Sequence, residues 1–120
     1  MAVAATRTVA IVFTTPVGAS LSFPAASNAN SPASVYVYTL ASGANTISFP
    51  TGCTVVAGAT IIPPSGNTNA ITLKGTTGDT GVALHKTDPT SIAFDTTSTT
   101  QTSIVLTVAT TTTGLRIAWT

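Results

Sequence analysis

Charge is what this chain has least of. Only 6% of its 120 residues are charged, against roughly 25–35% on the surface of a typical soluble domain. The formal net charge is +1, so repulsion does little to keep copies apart, and near-zero charge favours association. The cations Arg7, Lys74, Lys86 and Arg116 are scattered and partly matched by Asp79, Asp88 and Asp95. Sequence-independent nucleic-acid binding needs many clustered cations that neutralise phosphates, so nucleic acid is not an expected partner.

Cysteine and histidine are nearly absent as well. Cys53 is the single cysteine, which rules out an intrachain disulfide and reads as a small buried hydrophobe. A nucleophilic role would need a neighbouring base, and none lies near it in sequence. His85 is the single histidine. A Ser-His-Asp triad could draw on Asp79, Asp88 or Asp95, yet there is no G-x-S-x-G elbow. One histidine and one cysteine are too few ligands for zinc. Asp79, set among glycines in Gly78-Asp79-Thr80-Gly81, lacks the companion carboxylates and spacing of a calcium loop. It reads as a turn residue whose side chain caps local backbone N–H groups. The run Gly75-Thr76-Thr77-Gly78 lacks the Gly-Lys-Ser/Thr that closes a P-loop. The expectation is therefore no catalytic residue, no metal, no cofactor and no enzyme.

Long apolar runs are missing too. A membrane-spanning helix takes about 20 apolar residues, and no such stretch occurs, so no membrane partner is expected. The run Val9-Ala10-Ile11-Val12-Phe13 is too short for a signal h-region, and Arg7 alone makes a weak n-region. The start reads as a native strand, and synthesis in a cytoplasm without export is expected.

What is present is a series of short β-type segments. No helix-length window shows a 3.6-residue apolar period. Val9, Ile11 and Phe13 mark one strand, and Leu21 and Phe23 mark another. Residues 25–34 are small and polar and read as a loop. Val35-Tyr36-Val37-Tyr38 is a strand with its valines on one face and its tyrosines on the other; one of those faces is core. Ile47 and Phe49 follow. Residues 54–62 form the longest β run, with Gly58 in its middle as the sign of a bulge or close backbone approach. Ile71 with Leu73, Val82 with Leu84, and Ile92 with Phe94 mark three further strands. Ile104, Leu106 and Val108 alternate cleanly. Thr110 to Gly114 reads as a turn before a last strand carrying Leu115, Ile117 and Trp119.

About nine or ten short strands with turn signals between them predict an all-β chain. The expected architecture is a single compact antiparallel β-sandwich, jelly-roll-like, or a β-barrel. Residues 1–120 form one domain, with an N-terminal arm at about 1–8. Threonine suits strands through its branched Cβ, and its hydroxyl wets an outer face without charge. Sheet edges are usually blunted by lysine, proline or inward charge. Lysine is scarce here, so pairing with another subunit is the expected protection. Tyr36, Tyr38, Trp119 and His85 are the candidate interface residues. An aromatic sugar-binding platform is a second reading of the first three.

The stretches Ile61-Ile62-Pro63-Pro64-Ser65-Gly66-Asn67, Ile71-Thr72-Leu73-Lys74-Gly75 and Gly78-Asp79-Thr80-Gly81-Val82-Ala83-Leu84-His85 resemble segments of small structural proteins of tailed bacteriophages. The resemblance spans roughly the C-terminal two thirds, through Leu115-Arg116-Ile117-Ala118-Trp119, and brings no catalytic signature. It implies a non-enzymatic virion role. The first expectation is a capsid decoration or cement protein, self-associating with a trimer favoured and bound to the major capsid protein. A tail or baseplate component bound to tail proteins is the alternative, and a carbohydrate-binding sandwich for host attachment is a third. The implied location is the virion, assembled in the host cytoplasm.

Overall fold

The computed structural model describes the backbone of residues 3–7, 10–11, 21–22, 26–30, 35–50, 56–95 and 102–120, and side-chain surroundings from residue 35 onward within that set. Every regular element among them is a strand. They are β1 Val3–Arg7, β2 Ala10–Ile11, β3 Leu21–Ser22, β4 Ala26–Asn30, β5 Val35–Leu40, β6 Gly43–Ser48, β7 Gly58–Ile62, β8 Ile71–Lys74, β9 Val82–Ala83, β10 Thr90–Ala93, β11 Ser103–Val108 and β12 Thr112–Trp119.

Eight of these build two antiparallel sheets, ordered β10-β7-β12-β5 and β6-β11-β8-β9. The pairing is nested. β5 lies beside β12, β6 beside β11, β7 beside β10 and β8 beside β9. The β12–β7 and β11–β8 ladders then join these pairs within each sheet. The chain is thus a long antiparallel hairpin folded over on itself, with successive strands assigned to opposite sheets except β8 and β9, which pair at the hairpin's tip. That is the winding of an eight-stranded jelly roll. Among the described residues the two sheets keep open edges, so the architecture is a sandwich and not a closed barrel.

Alternation along the strands explains the core. Ile104, Leu106 and Val108 point inward from β11, and Leu115, Ile117 and Trp119 from β12, all buried. Leu40, Ile47, Ala59, Ile61 and Ile71 complete one apolar cluster drawn from both sheets. Residues i and i+2 of a strand share a face, so these positions meet once the sheets stack.

Two of the loops are held by side-chain amides. The Asn45 side chain accepts from the Ala41 N–H at 3.0 Å and donates to the Ala41, Gly43 and Leu106 carbonyls. It clasps the β5–β6 turn onto β11. Asn67 donates to the Asn69 and Lys86 carbonyls, and Asn69 donates to the Thr112 hydroxyl.

Several expectations are corrected. Residues 26–30, read as loop, form β4 and pair with β1 through an uninterrupted register from Val3↔Asn30 to Arg7↔Ala26. Backbone hydrogen bonds sustain this ladder although Ala, Ser and Asn have weak strand preference. Residues 3–7, within the N-terminal arm expected at about 1–8, form β1 in this ladder. The strand expected over 54–62 begins only at Gly58, and residues 54–55 lie outside the described set. Gly58 opens that strand, exchanging backbone hydrogen bonds with Thr120 at 2.9 and 3.0 Å. Gly114 is no turn residue. It sits inside β12 at φ 83°, where the β12–β5 register shifts between Thr113 and Leu115, a glycine-centred bulge. The described residues hold twelve strands, more than the expected number, because β1 and β4 add a ladder where no strands were expected.

Candidate functional site

The four candidate interface residues separate in space. Trp119 is 1% exposed. Its ring lies 5.1 Å from that of Phe49, which in turn lies 5.0 Å from Phe94. The indole N–H reaches the Tyr38 hydroxyl at 3.4 Å. Its β7 partner in register is Ala59, whose small side chain leaves room for the indole. Trp119 is thus a core residue and offers no surface to a partner. Tyr38 is half-buried and packs on the same core. Only Tyr36, on the same face, reaches solvent, its ring 6.5 Å from that of Tyr38. The three aromatics form no exposed platform of the kind a sugar would stack on.

His85 lies on the loop between β9 and β10. Its Nδ1 accepts from the Asp88 N–H at 3.0 Å and the Thr87 N–H at 3.4 Å, and the Asp88 carboxylate lies 3.5 Å away. An acceptor Nδ1 places the proton of the neutral ring on Nε2. The imidazole therefore caps its own loop beside Pro89, and among the described residues no serine hydroxyl is bonded to it. Cys53 lies outside the described residues. No group of three or more His, Cys, Asp or Glu side chains that could hold a metal occurs among the described residues.

Asp79 closes the turn after β8. Its Oδ2 accepts from the Thr76 N–H at 2.8 Å, and its own N–H donates to the Thr76 carbonyl at 3.2 Å. This is the local cap expected from the glycine-flanked sequence. The hydrogen bonds from Thr76 hold the carboxyl below its ordinary value, with smaller help from Gly75 and the Lys74 charge. A lowered folded pKa stabilises the turn above the unfolded value and loses that contribution as pH falls through the folded pKa. In an acid titration followed by NMR, the Thr76 amide should therefore keep its bonded shift below the usual aspartate range and then move with Asp79 protonation. An Asp79→Asn variant should show no such step. Titration of the Thr76 amide at an ordinary aspartate pKa would contradict the bond.

Beside this turn opens a shallow depression of about 450 Å³. Leu73, Val82, Phe94 and Ile104 make its floor, with Lys74 and Asp79 on the rim. The carboxylate is already bonded to Thr76, so no acid–base pair or nucleophile converges there.

No protein-family model, curated protein or solved structure matches the chain.

The most distinctive surface is the outer face of the β10-β7-β12-β5 sheet. Val35 and Val37 stand on it from β5, 57% and 68% exposed. Their register neighbours are Ala118 and Arg116 on β12, and beyond them Thr60 and Ile62 on β7. Ser91, bonded to Thr60 through its hydroxyl at 2.7 Å, and Ala93 complete it. Arg116 is the sole charged side chain among the described strand residues of this face, set between Val37 and Ile62. The sequence left open which face of Val35–Tyr38 is buried. The structure turns the tyrosines inward, because Tyr36 falls opposite the buried Ile117. The valines, though more apolar, are left outside.

Proposed function

We propose that the chain is a non-enzymatic structural protein of a virion, most specifically a capsid decoration or cement protein bridging capsomers. The observation carrying this reading is the outer face just described. Its exposed valines, its small residues and its lone Arg116 make a surface better suited to burial against another protein than to water. Cementing acts by burying such patches across subunit junctions, so that separating the subunits must re-expose them. Two further points support it: the resemblance of the C-terminal two thirds to small tailed-phage proteins, and the jelly-roll winding, which virion proteins share with lectins and cupins. The winding is analogy at the level of fold and does not choose among these. The partner in this reading is the major capsid protein, and the site of assembly is the host cytoplasm.

The test is mass spectrometry of gradient-purified particles, with heads and tails separated. Recovery with heads in near-stoichiometric ratio to the major capsid protein is expected. Recovery with tails alone would transfer the assignment to the tail or baseplate alternative. Absence from both fractions would overturn a virion role.

A further inference from the structure

We infer that β5 is a self-pairing edge, joining two copies antiparallel about a two-fold axis at Tyr36. This goes beyond the virion reading and does not depend on it.

The four sheet edges are unequal. β9 spans two residues and β10 four. Charges follow or precede them closely, at Lys86, Asp88 and Asp95. β6 is longer, but its exposed residues are Gly43, Ala44, Thr46 and Ser48. β5 is six residues long, contains no lysine, proline or charge, and leaves Val35, Tyr36 and Val37 exposed in succession. It lacks the devices that normally keep an edge from pairing.

A second copy fits this edge better than a partner of another kind, for two reasons. The first is that Val35-Tyr36-Val37 reads the same in both directions. An antiparallel two-fold at Tyr36 sets Val35 opposite the partner's Val37 and Tyr36 opposite the partner's Tyr36. Directly opposed residues in such a pair point to the same side. The valines of both copies then form one continuous apolar row, as an isologous contact requires.

The second reason is charge. No Asp, Glu, Lys, Arg or His lies between Arg7 and Lys74, so the two edges carry no charge at neutral pH and do not repel. The nearest cation, Arg116 on β12, would sit three strand spacings from its mate, about 14 Å. That exceeds the Debye length of about 8 Å at physiological salt. Stacking two copies face to face through the same sheet would instead bring the arginines together on an apolar surface.

An edge contact of this length buries less than the roughly 1,200 Å² of a standard interface. The association is therefore weak and concentration-dependent. It is also two-fold, unlike the trimer that the resemblance to capsid decoration proteins implies.

Sedimentation velocity of the full chain over roughly a hundredfold concentration range should show a monomer–dimer equilibrium. Val37→Lys should weaken it at least about tenfold, and Val82→Lys, on the exposed β9, should leave it unchanged. Trp119 fluorescence checks that both variants fold. In a Cys53→Ser background, Tyr36→Cys chains should cross-link under oxidised glutathione, since directly opposed residues lie at disulfide distance. Val35→Cys chains should not, because each Val35 is offset from its symmetry mate. A monomer at every concentration, a dimer indifferent to Val37→Lys, or a trimer would overturn the proposal. Failure to associate would leave the particle-composition test untouched, so the two readings fail separately.

Discussion

Replacing Trp119 with alanine should cost about 3–5 kcal/mol, the usual range for deleting a buried aromatic. The indole is fully enclosed, lies against Phe49, and donates to Tyr38 across the core. Its neighbour in register, Ala59, is too small to fill the space left behind. Few side chains can relax into the gap, which places the cost toward the upper end of the range. Domains of this size are stable by about 5–15 kcal/mol, so the variant should be near the limit of folding. Urea unfolding followed by far-UV circular dichroism is the suitable measurement, because the variant lacks the chain's one tryptophan. A loss below about 1 kcal/mol would contradict a buried indole.

Gly81→Ala should have the second largest effect, through a different cause. Gly81 sits at φ 78°, where an L side chain costs roughly 1–2 kcal/mol. A Cβ there would also lie 2.5 Å from the Leu73 carbonyl oxygen, 2.6 Å from Lys74 Cγ and 2.8 Å from Thr72 Cγ2. The Lys74 stem can swing away, but the backbone oxygen cannot. Overpacking of this kind adds roughly 1–3 kcal/mol. The chain has a way to limit the damage. β9 is a two-residue edge held by Thr72↔Ala83 and Leu73↔Val82, and it can detach while the rest of the sandwich stays folded. Amide exchange should therefore accelerate at residues 81–84 far more than in β11, together with a global loss of about 2 kcal/mol. Uniform protection in β9 would show that the close approach to Leu73 is absent.

The sequence was most informative where a strand's own alternation decides its face. Ile104, Leu106 and Val108 announce an inward row without reference to any partner, and so do Leu115, Ile117 and Trp119. It was least informative where the decision rests on a distant strand. The inner face of β5 is chosen by its register on β12, beside it in the sheet but near the other end of the chain, and hydrophobicity alone points to the wrong side. β4 is hidden for another reason: Ala26–Asn30 has no strand-forming side chains, and its order comes from the backbone of β1. Gly114 looks like a turn because a bulge and a turn use the same positive φ. Among the site residues, Asp79 was readable because its cap is local. Trp119 was not, since an aromatic in a strand fits a core and a surface equally until Ala59 appears beside it. Thr107 shows the same limit. Strand alternation places it outside, yet it is half-buried and its hydroxyl is shut away from water without a hydrogen-bond partner.

The nested pairing also governs the order in which the molecule can be made. Neither β5 nor β6 can complete its ladder until β12 and β11 exist, since Val35 waits for Ala118 and Ser48 for Ser103. Contacts so far apart in sequence close slowly, because loop entropy is lost before the pairing rewards it. The first strands of the sandwich thus leave the ribosome as unpaired, uncharged β segments. They remain so until the last strand arrives, which makes the interval between translation and closure the period when this chain is most prone to aggregate.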